Sequence, residues 1–512
     1  MANNITRVRL LSVPLESDYK HTLYFSSPDA QNAYFLGKTV YNKDDFSYQR
    51  KEGFIRYPKH IDDLSSVNYI MYRNDETSTK WYYAFITDLE YKSEEVTFIH
   101  FELDVIQTYM FDYNIRPSFV EREHVDNDAK GAHTYPEGLE VGDFVCEYRD
   151  QVTELNSYAY VMGVTDSVVP VTEDADGWGA VTGGRYNGIY SGVKYYAYSD
   201  PSAINSMIAQ YAKKGFSDSI TSLFMYPLPL LELDESGNHE VLGSEKPKEI
   251  NKNVAYNATF STDYKPKNNK LYSYPYQYLL VTNNNGASAV YHFEDFASNK
   301  IEFLVQGCLT PGGSIRAIPK NYRGVAQNDE EGLNLGKFPI CNWTSDEYTN
   351  WLTQNSVNIG VGIASGFGEA LTGNVAGAIN TIGGQLLQVH QMKFTSAQSR
   401  GNTNCGDVIS ASFKNTFFFQ QMRIKEEYMI IIDNYFSMYG YKCNRVKVPF
   451  SNHRENYWYT KTIDVSIEPV TSKGIPMNDQ QKIKECYNSG ITFWRDPSKI
   501  CDYSVSNEEI EE

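Results

Sequence analysis

The sequence has few cysteines, and they follow no recognisable pattern. Its 512 residues include seven cysteines, an odd number, and no two of them form a C-x-x-C pair. A disulfide framework needs an even number and a zinc site needs closely spaced pairs, so neither is expected. We interpret the cysteines as reduced thiols of a protein made in a cytosol.

Long apolar runs are missing as well. No window reaches the roughly 18 consecutive apolar residues of a standard membrane-spanning helix. The brief apolar run near the N-terminus is followed at once by Glu16 and Asp18, so a secretory signal peptide is not expected.

Catalytic motifs are also lacking. The chain has no G-x-S-x-G sequence, and His100-Phe-Glu102 does not have the spacing of a zinc protease motif. Glu102 and Asp104 share one strand face, as a glycosidase pair would, but 64 acidic residues make chance pairs common. We predict no enzyme activity, no catalytic residue, no metal site and no cofactor.

Tyrosine and negative charge are what the chain has in excess. It contains 41 tyrosines, and 14% of its residues are aromatic, which favours strands and half-buried contact surfaces. The net charge is −18, which disfavours ordinary nucleic-acid binding because the surface repels phosphates. A channel through which DNA slides remains compatible with it, since attraction would arrest the DNA.

Local patterns predict mostly strands, with a few helices. Residues 81–91 and 96–105 are two strands joined by a short polar turn, and residues 276–282 and 289–293 form a second hairpin. Further strands are predicted at 412–419, 445–448 and 460–467. Helices are predicted at 27–35, 201–215, 425–439 and 478–487. The acidic tail 508–512 is expected to be solvated.

Residues 355–392 differ in character from the rest of the chain. They include eight glycines and a single charged residue, Glu369. Steps of three and four place seven apolar residues on one helical face, and the opposite face is polar but uncharged. These seven residues are Phe367, Leu371, Val375, Ile379, Ile382, Leu386 and Val389.

Three interpretations of this segment compete. The first is an ordinary helix packed on a core, although such helices carry charges on their outer face. The second is a phosphate-binding loop, but the spacing of Gly360, Gly362 and Gly366 does not match G-x-G-x-x-G. The third is a mobile loop that prefers lipid, since few charges lower the cost of insertion and glycine permits close helix packing.

Several short strings stand out along the chain, at 13–15, 22–25, 31–35, 81–85, 103–109, 119–124, 272–286, 439–441, 457–461 and 490–494. Taken in order, they resemble the tail knob (distal tail tube) proteins of small short-tailed phages of Gram-positive bacteria, the picovirus-like podophages. They extend over nearly the whole chain, and their ordered co-occurrence carries the resemblance.

The resemblance implies a mainly β, multi-domain fold with some helices. A tail-tube-like β-barrel would be formed by residues 1–125 and by residues 406–512 with a short C-terminal helix, with strands 78–105 and 410–470 closing one barrel. Residues 126–345 would be a β-rich knob insertion, and residues 346–405 a long apolar, glycine-rich loop.

The resemblance also implies a function and its partners. A homohexamer at the distal end of the virion's tail would join other tail proteins (lower collar or proximal tube) and conduct viral DNA without sequence-specific binding. Its apolar loops would plug the tube and then penetrate the host cell membrane, as a pore, for DNA ejection.

Particular residues are predicted to do this. The membrane-insertion residues are Ile359, Val361, Ile363, Phe367, Leu371, Val375, Ile379, Ile382, Leu386, Leu387 and Val389, and the loop hinges are Gly360, Gly362, Gly366, Gly368, Gly383 and Gly384. Two alternatives remain: a tail-associated enzyme that degrades wall polysaccharide, and a passive receptor-binding module.

Overall fold

The structure is a computed structural model of the chain. It describes residues 6–46, 53–74, 79–164, 185–186, 189–190, 194–199, 203–204, 207, 220–231, 238–240, 248–283, 287–297, 300–307, 314–323, 341–344, 416–470 and 474–510. The described chain is mostly β and multi-domain, as the sequence predicts. It divides into two compact units, unit 1 (residues 1–141, 266–272 and 426–512) and unit 2 (residues 142–265 and 273–425).

The strands and helices follow one another in a defined order. The strands are β1 Thr6–Leu11, β2 His21–Leu23, β3 Thr39–Phe46, β4 Phe54–Tyr57, β5 Tyr69–Asn74, β6 Tyr82–Ser93, β7 Val96–Leu103, β8 Tyr113–Ile115, β9 Ser118–Glu123, β10 Phe144–Gln151, β11 Tyr158–Val164, β12 Arg185–Tyr186, β13 Ile189–Tyr190, β14 Lys194–Tyr198, β15 Ile220–Pro227, β16 Asn238–Glu240, β17 Ile250–Val254, β18 Gln277–Thr282, β19 Ser288–Tyr291, β20 Ile301–Gly307, β21 Ser314–Pro319, β22 Cys341–Thr344, β23 Phe418–Ile424, β24 Tyr441–Lys447, β25 Tyr457–Ile463, β26 Ile467–Pro469 and β27 Ile491–Trp494. The helices are α1 Pro28–Gly37, α2 Val105–Tyr109, α3 Glu426–Tyr439 and α4 Met477–Ser489.

Unit 1 contains two large sheets. The first has six strands in the order β3-β1-β5-β6-β7-β4, and the second has five in the order β2-β27-β25-β9-β24. Aromatic residues of both sheets share a core with helix α1, and in that core the rings of Tyr457 and Trp494 lie 4.5 Å apart. A second core behind β25 and β27 includes side chains of α2, all of whose residues are buried, and of one face of α4.

Unit 2 consists of smaller antiparallel sheets around one core. Their strand orders are β10-β23-β18-β19, β15-β11-β14-β16 and β17-β20-β21-β22, and β12 pairs with β13. Phe303 of β20 and Phe419 of β23 meet in the core with ring centroids 4.9 Å apart. The strands that flank the long apolar segment, β22 and β23, therefore both belong to this unit.

Most of the local sequence predictions are confirmed. The hairpin at 81–105 is β6 and β7, and the hairpin at 276–293 is β18 and β19. The helices predicted at 27–35, 425–439 and 478–487 are α1, α3 and α4, and Ser27 caps α1 by accepting a 3.2 Å hydrogen bond from the Ala30 N–H. Most of the helix predicted at 201–215 lies outside the described residues.

Other sequence predictions differ from the structure. The last two predicted strands begin earlier in the structure. β24 begins at Tyr441 rather than at residue 445, and β25 begins at Tyr457 rather than at residue 460. β25 also ends earlier than predicted, just before Asp464, whose φ is positive. The stretches 78–105 and 410–470 share no sheet among the described strand pairs. The strands of these two stretches that belong to unit 1 instead contribute side chains to one hydrophobic core. Strand β23 pairs with other strands of unit 2.

The acidic tail is not simply solvated. The N–H of Ile510 donates to the carbonyl of His453, and Glu509 lies 3.6 Å from the Arg454 guanidinium. This pairing attaches the described part of the tail to unit 1.

Asp104 of unit 1 is a buried, titratable residue that caps the N-terminus of helix α2. It is completely buried at the N-terminus of α2, where its carboxylate accepts hydrogen bonds from the Gln107 N–H at 3.0 Å and the Tyr69 hydroxyl at 2.7 Å. Burial raises the pKa of Asp104 from 3.8 to about 6, although these hydrogen bonds oppose the rise.

We predict that Asp104→Asn changes how stability depends on pH. Because the folded pKa is raised, unfolding between about pH 4 and pH 6 releases a proton, so the contribution of Asp104 to stability falls as pH rises through that window. Asparagine keeps the cap without titrating. Relative to the variant, the wild type should lose roughly 3 kcal/mol from pH 4 to pH 7 in urea denaturation. A pH-independent difference between the two proteins would contradict this.

Candidate functional site

All of the predicted insertion and hinge residues, from Ile359 to Val389, lie outside the described residues. The structure does describe the two strands between which this segment runs. β22 ends at Thr344, and β23 begins at Phe418. The candidate functional site is therefore this segment together with its attachment to unit 2.

Strand β23 is a firm attachment point, since it pairs with β10 on one side and β18 on the other. Its core-facing side chains make internal polar contacts. Gln421 exchanges two hydrogen bonds of 2.8 Å with the backbone of Asn257, and Arg423 forms a buried ion pair with Glu147. Burial raises the pKa of Glu147, but hydrogen bonds from Ser261 and Arg423 outweigh it and hold the pKa below its usual value.

Strand β22 lies at the edge of its sheet. It pairs only with β21 among the described strands, and Ser314 stands opposite Thr344. β21 pairs in turn with β20, whose Phe303 contacts Phe419 of β23. Both ends of the long segment are thus fixed to the same hydrophobic core.

Unit 1 contains a polar cavity of about 670 Å³. Its lining is His124, Asn127, Asp128, Ala129, Lys267, Asn268, Asn269, Ser437, Arg454, Tyr457, Ser504, Val505, Ser506, Asn507, Glu508 and Glu509. The Nδ1 atom of His124 accepts a 2.7 Å hydrogen bond from the Tyr459 N–H, and its Nε2 atom donates to the Ser437 carbonyl at 3.1 Å. Burial, aided by Arg454, lowers the pKa of His124 to about 3, so the imidazole is neutral and serves as a structural connector.

Next to this cavity, the buried carboxylate of Glu137 forms ion pairs with two positively charged side chains. Arg122 and Lys270 both form ion pairs with it, and Lys270 also donates to the Tyr135 carbonyl at 2.9 Å. The side chains of Glu137 and Lys270 are 1% and 2% exposed. Sequence reasoning missed this cluster because its members are far apart in the chain and follow no periodic pattern.

The same region holds the segment 266–272 in unit 1. Asp433 of α3 accepts hydrogen bonds from the N–H groups of Lys267 at 2.8 Å and Asn268 at 3.1 Å. Together with the Lys270 ion pair, these bonds fix a short segment whose neighbours on both sides belong to unit 2.

The described residues offer little for catalysis. Glu102 is exposed and ion-paired with Lys482, whereas Asp104 is a buried helix cap, so the two do not act as a carboxylate pair. No group of three His, Cys, Asp or Glu side chains within the described ranges has the arrangement of metal ligands. Among these residues there is also no helix with the length and apolar character needed to cross a bilayer.

Comparison with known proteins first defines the class. Residues 4–114, which include the whole six-stranded sheet, match the N-terminal region of caudoviral major tail proteins. The chain is therefore a structural protein of a phage tail. Residues 242–508, more than half of the chain, match the C-terminal domain of the tail knob protein gp9 of Bacillus phage phi29, and the chain belongs to this family.

Full-length relatives agree with this assignment. The chain is 28% identical to the tail knob protein gp9 of Bacillus phage B103 and 26% identical to that of Bacillus phage phi29, with 98% of both chains covered in each case. The structure of the bacteriophage C1 tail knob protein, gp12, has the same fold, with a TM-score of 0.61 at 16% identity over 99% of this chain and 100% of that one. The protein is a non-enzymatic component of the virion, at the distal end of the tail.

We predict that Glu137→Gln strongly destabilises unit 1. The substitution leaves Arg122 and Lys270 buried without their counter-ion, which typically costs about 3–5 kcal/mol. Glu468→Gln is the matched control, because Glu468 pairs with Arg116 on the exposed surface, where an ion pair contributes little. Urea denaturation followed by circular dichroism compares the two variants. Equal stability of both would show that the Glu137 cluster is not important for the unit.

Proposed function

We propose that six copies of this chain form the distal tube and knob of the tail and conduct the genome, and that the apolar loops plug the tube and then penetrate the host cell membrane. In this proposal residues 1–125 and 406–512 form the tube, residues 126–345 the knob and residues 346–405 the loop. The division into unit 1 and unit 2 supports a separation of tube and knob, but at different boundaries, since unit 2 extends to residue 425 and includes β23, while residues 126–141 and 266–272 belong to unit 1. The partners are the lower collar or proximal tube, the host membrane and the passing DNA.

The tube part of the proposal is supported by the match to tail proteins. That match covers β1 to β7 and the start of β8, which belong to unit 1, and the C-terminal strands β24 to β27 belong to the same unit. A net charge of −18 also suits a conduit, because a surface that does not attract phosphates lets DNA slide.

The observation that carries the membrane part is the composition of residues 355–392. One charged residue in the segment keeps the cost of insertion low, since each ion at the bilayer centre costs about 2.5–3.5 kcal/mol on insertion scales. The Asn, Gln and Thr side chains make a single helix a poor membrane span. Several copies would turn these side chains inward and line a pore. Anchoring at β22 and β23 would keep the knob attached to the inserted segment.

We predict that the wild-type protein releases dye from liposomes once triggered, for example by acidic pH, and that deletion of 355–392 abolishes release while hexamers persist in native mass spectrometry. Leu371→Asp with Ile379→Asp should abolish release as well, because both positions lie on the apolar face of the predicted helix. The matched control is Thr372→Asp with Thr381→Asp, on the polar face, which should retain much more release.

The outcomes separate the alternatives. Dye release that survives the deletion would disprove the assigned role of the segment. A protein that releases no dye but still binds wall glycan after the deletion would be a passive receptor-binding module instead.

A further inference from the structure

The polar cavity of unit 1 is enclosed by stretches of chain that lie far apart in the sequence. Residues within 124–129, 267–269 and 504–509 supply most of its lining, and all of the lining residues belong to unit 1. Its volume of about 670 Å³ lies within the range of roughly 300–1,000 Å³ that is typical of small-molecule sites. The cavity is therefore large enough for an organic ligand, and not only for one or two bound waters.

The wall formed by residues 504–509 is fixed by the backbone of β25 and the residues before it. The side-chain oxygen of Asn507 accepts hydrogen bonds from the N–H groups of Asn456 at 3.1 Å and Tyr457 at 3.0 Å. The side-chain nitrogen of Asn507 donates to the Tyr457 carbonyl at 2.8 Å, and Arg454 donates to the Asn507 carbonyl at 3.2 Å. A ligand that enters this cavity meets a wall that is already ordered, so little affinity is lost to ordering it.

Tyr457 contributes a buried hydroxyl to the cavity. The residue is 1% exposed and lines the cavity, and its ring packs on that of Trp494 with centroids 4.5 Å apart. Its hydroxyl makes no hydrogen bond to any residue that the structure describes. Burial raises the pKa of Tyr457, so the phenol stays protonated and can both donate and accept. Buried hydroxyls are normally paired, so a partner for Tyr457 is expected inside the cavity.

Two asparagines add a donor and an acceptor to the same cavity. The side-chain oxygen of Asn127 accepts from the Ala129 N–H at 2.9 Å, which leaves its NH₂ group as a donor. The side-chain nitrogen of Asn269 donates to the Asp128 carbonyl at 2.7 Å, which leaves its oxygen as an acceptor. Within the described ranges these two remaining groups have no partner. The cavity therefore presents both kinds of hydrogen-bonding group to a ligand.

The charged side chains of the lining are close to balance and are largely used within the protein. Two are basic and three are acidic. Arg454 donates to the Val125 carbonyl at 3.0 Å and lies 3.6 Å from Glu509. Asp128 accepts a 2.6 Å hydrogen bond from the Tyr441 hydroxyl. The cavity therefore has no cluster of one sign, which a phosphate or an ammonium group would need for tight binding.

We propose that this cavity binds a neutral saccharide of one or two sugar units. Sugar hydroxyls both donate and accept, and the lining includes four asparagines and three serines that can pair with them. An apolar ligand would leave the Tyr457 hydroxyl and the asparagine groups buried without partners. A free sugar and a sugar unit of a wall polymer share this chemistry. The site depends neither on the ring nor on the loop of the proposed function, because a single unit 1 contains it.

Filling the cavity tests the proposal. Ala129 lines the cavity, so Ala129→Trp would place an indole in the space that the sugar needs. Ala132 is an exposed residue of the same loop outside the lining, so Ala132→Trp is the matched control. Saturation-transfer NMR with glucose, N-acetylglucosamine, maltose and chitobiose measures binding to the full chain. At least one of these sugars should bind to the wild type and to the control, and Ala129→Trp should abolish its signal.

Removing a single hydroxyl tests the same site with a smaller change. Tyr457→Phe keeps the ring packed on Trp494 and deletes one hydrogen-bonding group, so the affinity for the sugar should fall roughly threefold to tenfold. Tyr91→Phe is the matched control, since Tyr91 is exposed on β6, and it should leave the affinity unchanged. Circular dichroism verifies that each variant is folded. If Ala129→Trp does not fold, the comparison of these two tyrosine variants decides.

The contradicting results are distinct. Absence of a signal from all four sugars with the folded wild type would overturn the proposal, and so would a signal that Ala129→Trp leaves unchanged. Binding of inorganic phosphate or choline in place of the sugars would overturn the ligand class. Competition between the bound sugar and purified wall polysaccharide separates the two sources: a polymer that displaces the sugar shares its site, and one that does not restricts the site to free sugars.

Discussion

The buried carboxylate of Glu137 is the interaction on which the organisation of unit 1 depends. It neutralises Arg122 and Lys270 at once, and Lys270 belongs to the short segment 266–272. A buried charge without its partner is strongly destabilising, so this ion pair fixes the place of that segment.

In unit 2, buried polar contacts likewise hold the strand that follows the long apolar segment. Strand β23 is fixed on its core side by the Arg423–Glu147 ion pair and by the hydrogen bonds of Gln421, and it contacts the sheet of β22 through the ring of Phe419. A segment that enters a membrane needs an attachment that does not move with it. In the proposed function, β22 and β23 would serve as that attachment at the two ends of the segment.

Local structure was predictable from the sequence, and long-range structure was not. The hairpin β6–β7 and the helix α3 follow from periodicity and turn residues that lie next to one another in the chain. The grouping of N- and C-terminal strands in one unit followed from the family resemblance, but their division into two sheets did not, because strand pairing depends on contacts between distant residues. The Glu137 cluster left no sequence signal, since its members are 15 and 133 residues apart. Residues 355–392 stood out in the sequence by their eight glycines, their apolar residues at helical spacing and their single charged residue.

The position of residues 355–392 relative to the symmetry axis of the assembled knob tests the account most directly. A cryo-electron microscopy reconstruction of the knob before ejection should show a sixfold ring, with these residues from all six copies close to the axis and closing the channel. A reconstruction in which each segment is folded rigidly into the interior of its own subunit, far from the axis, would contradict the account.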